Sequence, residues 1–520
     1  MKRGIEVSRL RRYNLWVVLA VIVLLSLLPL PAFWVAQLNY TGLFALTCLG
    51  LVLLTGVAGL TSFGQAAFVG IGAYTAAWCA LNLGWPPTVT LILGVTLTGV
   101  SAWVIGRITL RLSGHYLPLA TIAWGLSLYY LMGNLEALGK YDGLIGLNSL
   151  TLFGHEIGQG RGFFVVSWSL LWVATVALTF LLNSRPGRAI RSLKDGRQMA
   201  EAMGVDTFGY KVTIFVIAAV LASVAGWLMA YYQRAVNPSA FGLKWGIEYL
   251  FMVVVGGAGS LWGAWLGAGV VRVLDEQLQA WLPQLLGMSG SFESIVFGVM
   301  LVLILKYRPD GLWSWVQQGL GKTERTRDWD DADVLTQRTK PAMGDVVLDV
   351  QKIRKSFGGL VAVNDISFQV RAGQIVGLIG PNGAGKSTTF NLITGTLPLS
   401  GGEVYFGGQP VHGLHARDIA KRGLMRTFQH VKMIPEMSVL DNVAIGAHSR
   451  SKGEVFTAIL RRNRGEEKSI MAEAERQLKR VGLGDWIHEQ AANLPMGQQR
   501  LMEIARALCA DPTLLLLDEP

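Results

Sequence analysis

Charged residues and cysteines are both scarce in this sequence. Charged side chains make up 16% of its 520 residues, whereas 51% of the residues are hydrophobic. The three cysteines, Cys48, Cys79 and Cys509, lie far apart, and none has a partner at the spacing of a metal site or a redox pair. We interpret them as small buried side chains and assign them no function.

The sequence also lacks the features of a nucleic-acid-binding protein. Its net charge of +11 comes from 46 basic and 35 acidic residues, but no soluble segment interleaves basic with aromatic side chains. The basic residues instead stand at the ends of apolar runs, where an excess marks the cytoplasmic side of a membrane protein. The sequence therefore predicts contact with membrane lipid and none with nucleic acid. These residues are Lys2, Arg3, Arg9, Arg11, Arg12, Arg185, Arg188, Arg191, Lys194, Arg197, Lys306 and Arg308.

Composition divides the chain into two different parts. Residues 15–306 are almost entirely apolar, whereas residues 320–520 have the composition of a soluble α/β protein. Residues 314–345 are polar, mixed in charge and without apolar periodicity, which is typical of a linker. We predict a transmembrane domain over 1–313, a cytoplasmic linker over 314–345 and a soluble domain over 346–520.

The apolar part predicts about ten membrane crossings. Its first run, residues 15–36, is long for a signal peptide and has no small-x-small cleavage site, so we expect a retained membrane helix. Residues 247–274 read as two short halves around "GGAGS". If the chain starts in the cytoplasm and both halves count as crossings, the number of crossings places the basic segments 107–111 and 185–211 in the cytoplasm. It places the soluble domain there as well. The other predicted spans are 41–60, 64–82, 88–106, 116–134, 163–182, 211–232 and 293–306.

Little of the chain is predicted to lie outside the membrane. The segment 134–162 carries acids, bases and many glycines, and it is too short for a folded receptor domain. We therefore expect another protein to capture the substrate outside.

The glycine-rich stretch "FGQAAFVGIGAYTAA", residues 63–77, allows two interpretations. Its glycines, at 64, 70 and 72, permit close packing of helices in lipid, or they interrupt a helix that lines a substrate path. Spacing alone favours packing.

Four stretches in order resemble the inner-membrane permeases of the branched-chain amino acid ABC transporters. They are the glycine-rich stretch, "RLSGHYLPLATIAWG" (111–125), "IEYLFMVVVGGAGSLWGAWLGAGV" (247–270) and "KYRPDGLW" (306–313). Urea and short-chain amide importers share these motifs, so they remain alternatives. The external loop reads "LGKYDGLIGLNS" (138–149), without the family's usual Thr-Gly-Gly, which leaves the cargo open.

A cytoplasmic segment, "GRAIRSLKDGRQMAEAMGVDTFGYK" at residues 187–211, is either a solvated basic loop or a coupling helix that docks on an ATPase. The resemblance implies the second role. Ala200, Ala202 and Met203 offer a small apolar face for such docking.

The soluble domain carries a phosphate-binding loop. "GLIGPNGAGKST", residues 377–388, matches the G-x-x-x-x-G-K-[ST] pattern between a predicted strand ending at Ile379 and a predicted helix starting near Lys386. Glycines let backbone N–H groups close around phosphates, and the lysine contacts the terminal phosphates. The predicted ATP-binding residues here are Gly380, Pro381, Asn382, Gly383, Ala384, Gly385, Lys386, Ser387 and Thr388.

Further motifs make this domain similar to the ABC ATPases of the same importers. "NLPMGQQRLMEIARAL" (493–508) resembles the signature, and "DPTLLLLDEP" resembles Walker B. The resemblance implies that Asp518 and Glu519 are catalytic, that Gln429 of "RTFQH" senses the γ-phosphate, and that Phe357 stacks on adenine. It also implies a Mg²⁺ ion held by Ser387, Gln429 and Asp518. Leu494, Gly497 and Gln498 would act on the ATP of a partner ATPase.

Two features depart from the family pattern. Pro495 replaces the signature serine, which predicts a weakened contact with the partner's γ-phosphate. The chain also stops after Walker B, where the family continues into a D-loop and a switch histidine. This ending predicts a truncated chain with a marginally stable ATPase domain and little hydrolysis.

The predicted fold is thus a multi-span α-helical membrane domain followed by a P-loop α/β ABC ATPase domain that is incomplete at its C-terminus. We expect a fused permease and ATPase that imports a small solute, most simply a branched-chain amino acid, at the expense of ATP. The resemblance implies an inner (plasma) membrane location, with a second permease subunit, a second ATPase subunit and an external solute-binding protein as partners. An exporter would need long helices extending into the cytoplasm, which these short loops do not provide. A membrane component that has lost hydrolysis is the other alternative.

Overall fold

The computed structural model describes residues 14–112, 116–152, 154–286, 293–320 and 328–519. The basic residues predicted near the N-terminus, part of the linker and Pro520 lie outside these ranges. The chain divides into two compact units. The first comprises residues 1–179 and 208–323, and the second comprises residues 180–207 and 324–520.

The first unit consists almost entirely of apolar helices. Ten helices overlap the predicted crossings: the two predicted halves form separate helices, and the first predicted span, residues 15–36, is divided between the first two helices. The ten helices are α1 (Asn14–Leu27), α2 (Ala32–Leu51, continued by a π-helical segment Val52–Val57), α3 (Gln65–Leu83), α4 (Pro87–Thr109), α5 (Tyr116–Asn134), α6 (Arg161–Leu182), α9 (Thr207–Gln233), α10 (Leu243–Gly256), α11 (Leu261–Leu286) and α12 (Glu293–Tyr307). Between α6 and α9 lie α7 (Arg185–Asp195) and α8 (Arg197–Ala202), and α13 (Gly311–Leu320) follows α12.

Five of these helices are long and apolar enough to cross a membrane by themselves. They are α2 with its π-helical segment, α3, α4, α6 and α9. Helices α10 and α11 pass the same test together and are bent by 114° at their junction. Gly257, at this junction, has φ of +114°, a backbone conformation that favours glycine. The prediction of two halves around "GGAGS" is therefore confirmed.

The first predicted span differs from the structure. Residues 15–36 do not form one helix, because α1 ends at Leu27 and α2 begins at Ala32. Pro29 and Pro31 lie between them, and proline lacks the backbone N–H that a continuing helix needs. Pro31 instead precedes the first residue of α2.

The glycine-rich stretch packs against another helix. A Cβ on Gly72 would lie 2.2 Å from the carbonyl oxygen of Ser223, and one on Gly226 would lie 1.9 Å from that of Val69. Helices α3 and α9 therefore approach closely through small residues. Helix α3 is continuous from Gln65 to Leu83, so Gly70 and Gly72 do not interrupt it. The packing interpretation is correct.

The elements that the structure describes in segment 134–162, which was predicted to lie outside the membrane, are short. Strand β1 (Leu144–Ile145) pairs with β4 (Ala235–Val236), and β2 (Leu150–Leu152) pairs with β3 (His155–Ile157). This agrees with the prediction of a short excursion in place of a receptor domain.

The second unit contains two sheets. An antiparallel sheet has the order β6-β5-β7-β8, and a parallel pair consists of β9 and β10. The strands are β5 (Val346–Phe357), β6 (Leu360–Arg371), β7 (Gly401–Phe406), β8 (Gln409–Pro410), β9 (Leu424–Arg426) and β10 (Leu514–Leu516). The helices are α14 (Lys386–Ile393), α15 (Ala416–Lys421), α16 (Val439–Ala444), α17 (Val455–Ile459), α18 (Arg464–Arg480) and α19 (Met496–Cys509).

The predicted strand before the phosphate-binding loop is not formed. Residues 374–380 belong to no strand, and Ile375 and Ile379 are fully or almost fully exposed. Extended backbone counts as a strand only when a neighbouring strand pairs with it, and no described strand does so here. The predicted helix after the loop does begin at Lys386.

Candidate functional site

The phosphate-binding loop has the backbone that its glycines require. Gly385 precedes α14 with φ of +87°, and a Cβ on it would lie 2.5 Å from the carbonyl oxygen of Ala362. Only glycine fits this position without strain. Lys386 Nζ donates hydrogen bonds to the carbonyl oxygens of Gly380 at 2.7 Å and Pro381 at 2.9 Å. The ammonium group therefore lies over the loop, where the motif places phosphates.

Strand β10 places two carboxylates beside this loop. It pairs in parallel with β9, Leu514 opposite Leu424, and Asp518 and Glu519 lie two and three residues beyond its last residue, Leu516. Asp518 is 9% exposed, and burial raises the pKa of its carboxyl. The neighbouring guanidinium of Arg426 lowers this pKa, Glu519 raises it and Lys386 lowers it.

The structure brings Gln429 and Glu519 into contact. Gln429 Nε2 donates a hydrogen bond to Glu519 Oε1 at 3.2 Å, and both side chains are exposed. Glu519 has φ of +51°, an uncommon conformation for a residue other than glycine. Two residues that the sequence assigned to one reaction are thus neighbours.

Arg426 is a central residue of the site that the sequence analysis missed. It is 4% exposed, and it donates hydrogen bonds to Asn391 Oδ1 at 2.6 Å and Thr394 Oγ1 at 3.2 Å. Its other terminal nitrogen lies 3.4 Å from Asp518 Oδ2. Arg426 therefore connects α14 to the carboxylate. Its place at the start of "RTFQH", beside Gln429, was the only signal in the sequence.

Phe357 stands at the exposed end of the β5–β6 hairpin. It is 47% exposed, and Lys355 Nζ lies 5.1 Å from the centre of its ring. An exposed ring at a hairpin end is available for stacking on a planar group.

The signature segment divides into a buried anchor and an exposed helix start. Leu494 is buried in an apolar cluster with residues of α16, α18 and α19, so its side chain holds the segment in place. Pro495 precedes the first residue of α19, and Met496 and Gly497 are exposed. The side-chain oxygen of Gln498 is buried without a hydrogen-bond partner in the described structure.

The segment containing α7 and α8, which we call the docked loop, packs on other residues of the second unit. Met199, Ala202 and Met203 share an apolar cluster with Ile434 and Met437. The cluster also contains Ala420, Met425, Ile445, Ala507 and Ala510. The predicted apolar face of Ala202 and Met203 is therefore covered, and this segment is not a solvated loop. Ile434 and Met437 lie five and eight residues after Gln429 in the chain.

Polar contacts surround this apolar cluster. Arg188 Nη1 donates to Glu467 Oε2 at 2.9 Å, and the two side chains are 3% and 13% exposed. Arg185 Nε donates to the carbonyl oxygen of His448 at 2.9 Å. Lys194 pairs with Glu436 at 3.1 Å, and Asp206 pairs with Arg417. His448 is buried, and its pKa is well below the ordinary value because of burial and then the charges of Arg185, Arg188 and Lys421.

The predicted linker is partly an ordered strap, which we define as residues 328–342. Trp329 is 5% exposed in the apolar cluster of α16, α18 and α19, and its Nε1 donates to Glu475 Oε2 at 2.6 Å. Arg450 Nη2 donates to the carbonyl oxygen of Leu335 at 3.1 Å. Lys340 Nζ lies 2.7 Å from Asp511 Oδ1. The composition of this stretch did not reveal these contacts, because one tryptophan and one leucine fix a segment that has no periodicity.

No metal-binding cluster of three or more His, Cys, Asp or Glu side chains occurs among the described residues. The cysteines there are unpaired and buried, as the sequence suggested.

Sequence comparisons cover both parts of the chain. The family model for the branched-chain amino acid transport system permease component matches residues 34–305, more than half of the chain. The ABC transporter family model matches residues 363–520.

Individual relatives match the soluble part. The high-affinity branched-chain amino acid transport ATP-binding protein LivG of Salmonella typhimurium is 40% identical over 180 residues, 34% of this chain and 71% of that protein. The corresponding protein BraF of Pseudomonas aeruginosa is 37% identical over 176 residues, 34% of this chain and 69% of that protein. Among solved structures, a nucleotide-free ATP-binding cassette from an ABC transporter is 31% identical, with a TM-score of 0.29 over 34% of this chain and 70% of that one.

The two family models agree with the apolar helices of the first unit and with the phosphate-binding loop and Walker B carboxylates of the second. The chain therefore belongs to the family of permease components of branched-chain amino acid transport systems, and it carries an ABC transporter ATPase domain in the same polypeptide.

Proposed function

We propose that this chain imports a branched-chain amino acid across the inner (plasma) membrane, with its ATPase domain in the cytoplasm. In this proposal residues 1–313 form the permease, 314–345 the connection and 346–520 the ATPase. The observation that carries it is the packing of Met199, Ala202 and Met203 on residues of the ATPase domain. Two of these residues, Ile434 and Met437, follow Gln429 closely in the chain. A segment between two membrane helices and a nucleotide-sensing residue thereby belong to one compact unit.

The nucleotide site is proposed to hold Mg²⁺–ATP. The side-chain oxygens of Ser387, Gln429 and Asp518 are the ligand type that Mg²⁺ prefers, and Asp518 lies at the buried base of the site. The bound ion would neutralise charge on the phosphates. The glycines from Gly380 to Gly385 leave room for backbone N–H groups to face phosphates, and Lys386 is held over the loop by two carbonyl oxygens that phosphates would replace.

Hydrolysis requires a group that orients and deprotonates water. Glu519 is exposed at the end of β10 and is proposed as this base, while Gln429 holds its carboxylate by one hydrogen bond. Phe357 would stack on the adenine ring. The docked loop packs on Ile434 and Met437, which follow Gln429 closely in the chain. Occupation of the nucleotide site would therefore be transmitted through this segment to α7 and α8.

The remaining parts of the machine are proposed to come from other chains. A second permease subunit and a second ATPase subunit would complete the transporter, and an external solute-binding protein would deliver the solute. Gly497 and Gln498, at the start of α19, would contact ATP held by the second ATPase, with Leu494 as the anchor of that segment.

The test reconstitutes the full chain with its partner subunits and binding protein in vesicles that contain ATP. Uptake of L-leucine, L-isoleucine or L-valine by the wild type, and its loss in Lys386→Ala, would support the proposal. The same variant should lose ATP binding but keep its fold, because Lys386 acts on phosphate and is not part of the core. Uptake of urea or a short-chain amide in place of these amino acids would overturn the substrate assignment.

A further inference from the structure

The first unit contains a cavity of about 430 Å³ that the proposed ATPase chemistry does not use. It is bordered by α2, α9, α10 and α11, and we call it the outer cavity. Its lining includes Tyr40, Phe44, Asn237, Trp245 and Arg272. Its volume is within the range of about 300–1,000 Å³ that is usual for small-molecule sites.

The outer cavity lies at the end of the membrane domain that faces away from the basic segment before α9. Helix α9 begins at Thr207 and ends at Gln233, which borders the cavity, and 27 helical residues extend about 40 Å. Basic segments mark the cytoplasmic side, so the cavity lies near the external end of α9. The external side is the side on which an importer receives its solute.

The inner wall of the outer cavity is aromatic. The ring of Phe44 lies 5.5 Å from that of Trp245 and 5.8 Å from that of Tyr249. Phe44 and Tyr249 are both buried, so the rings form a fixed apolar surface. Such a surface favours an aliphatic side chain over a polar one.

The lining of the outer cavity also includes a guanidinium group that is held in position. Arg272 donates hydrogen bonds to Gln37 Oε1 at 2.9 Å and Glu276 Oε2 at 3.0 Å, and its Nη1 lies 3.3 Å from Asp275 Oδ2. It also lies over the ring of Tyr40, 4.9 Å from the ring centre. An arginine within an apolar helix is costly unless it is paired, and such residues commonly mark solute paths.

The local charge selects against a simple anion. One guanidinium faces the carboxylates of Asp275 and Glu276, so the cluster has an excess of one negative charge. A ligand with a single carboxylate would meet this excess unfavourably. A zwitterion satisfies both signs, because its carboxylate can approach Arg272 while its ammonium group approaches the acids or the side-chain oxygens of Asn237 and Ser239.

We propose that the outer cavity binds a zwitterionic α-amino acid with a branched aliphatic side chain, at the stage when the solute enters the membrane domain. This inference rests on the proposed function and adds the position and the groups that recognise the solute. The aliphatic side chain lies on Phe44 and Trp245, and the charged groups lie at the wall formed by Arg272.

Binding is measured by equilibrium dialysis of radiolabelled L-leucine against the purified full chain without nucleotide. 4-Methylpentanoate, which lacks the ammonium group, and isoamylamine, which lacks the carboxylate, serve as competitors. The wild type should bind L-leucine saturably, and either analogue should displace the bound L-leucine poorly. Arg272→Met should weaken L-leucine binding about tenfold or more and reduce the discrimination against isoamylamine.

Two further variants keep the test decisive if Arg272→Met fails to fold. Ala240→Phe fills the cavity from a half-buried position at its edge, and it should abolish binding. Lys244→Gln is the matched control. This substitution removes one positive charge near the same end of α10. The side chain of Lys244 is 67% exposed and does not line the cavity. It should bind L-leucine like the wild type.

Vesicle uptake in parallel separates this inference from the proposed function. If the assembled wild type imports L-leucine and Ala240→Phe binds and imports it equally well, the outer cavity is not the site and the proposed function stands. If the assembled wild type imports no branched-chain amino acid, the proposed function itself is wrong. Equal binding of isoamylamine and L-leucine by the wild type would refute zwitterion recognition.

Discussion

The side-chain amide of Gln429 donates a hydrogen bond to the carboxylate of Glu519 at 3.2 Å, although 90 residues separate the two in the chain. The contact follows from the sheet. Strands β9 and β10 pair in parallel, with Leu516 opposite Arg426, so the residues that follow both strands emerge at the same edge. A short segment after each strand is then sufficient to bring an amide and a carboxylate together.

The first prediction concerns this pair. Glu519→Gln should lower the rate of ATP hydrolysis by the assembled transporter about a hundredfold or more, because the amide cannot accept a proton from water. ATP binding should remain, because the phosphate-binding loop is unchanged. The measurements are steady-state phosphate release and binding of a fluorescent ATP analogue.

Gln429→Ala is the matched variant. It leaves the carboxylate in place, so it should retain more hydrolysis than Glu519→Gln but transport less solute per ATP. Hydrolysis by Glu519→Gln at the wild-type rate would remove Glu519 from the proposed role.

The second prediction concerns the ion pair of Arg188 and Glu467. Arg188→Met leaves a carboxylate that is only 13% exposed without this guanidinium, and removing one partner of a buried pair costs about 3–5 kcal/mol. The docked loop should loosen, so that hydrolysis continues while solute uptake falls. Uptake per ATP hydrolysed is the measurement.

The double variant Arg188→Met with Glu467→Leu is the control for this pair. Removing both charges leaves no unpaired buried charge, so stability should recover more fully than in Arg188→Met alone. The recovery is incomplete, because the backbone N–H of Arg185 also donates to Glu467 and loses this acceptor. A double variant that is as unstable as the single one would show that the pair contributes through packing and not through charge.

The residues of the proposed nucleotide site could be identified in the sequence because its signals are local. Gly385, Lys386 and Ser387 are consecutive, and the chemistry of phosphate binding requires these residue types at this spacing. Asp518 and Glu519 follow an apolar run directly. The apolar face of Ala202 and Met203 was likewise visible at the end of one short helix.

The residues that the sequence did not reveal depend on distant partners. Trp329 bonds to Glu475, 146 residues away, and Arg426 bonds to Asn391 and Asp518 on two other elements. A polar segment without periodicity, such as the strap, carries no local pattern for its single anchor. The outer cavity combines residues of four helices, so it exists only after they pack.

The third prediction tests the strap. Trp329→Ala should destabilise the second unit by about 3–5 kcal/mol, because it removes a large side chain from a closed apolar cluster. Trp329→Phe should cost less, because it keeps part of the packing and loses the bond to Glu475, which also pairs with Lys479 at 2.8 Å. Both variants should retain the nucleotide-binding loop.

Cys509 provides the measurement for the strap. Its thiol is fully buried in the same cluster, and burial raises its pKa to about 12, so it should resist alkylation in the folded protein. Iodoacetamide labelling followed by peptide mass spectrometry would distinguish Cys509 from Cys48 and Cys79. Trp329→Ala should label Cys509 faster than the wild type, with Trp329→Phe between them. Equal labelling rates in all three proteins would mean that the strap does not stabilise the cluster.

The last prediction concerns pH and the buried His448. Its pKa is held well below the ordinary value of 6.5 by burial and by the positive charges of Arg185, Arg188 and Lys421. The folded protein therefore keeps this histidine neutral, whereas the unfolded chain binds a proton below about pH 6.5. Stability from this group is complete above pH 6.5 and falls with decreasing pH towards the folded pKa, by at most about 1.4 kcal/mol per pH unit.

Urea unfolding of the full chain at pH 7.5, 6.5 and 5.5 measures the slope. His448→Gln should flatten the step between pH 6.5 and 5.5, because glutamine does not titrate. His430→Gln changes an exposed histidine of the same unit and should keep the step in stability between pH 6.5 and 5.5. A step of the same size in His448→Gln and in the wild type would assign this pH dependence to other groups.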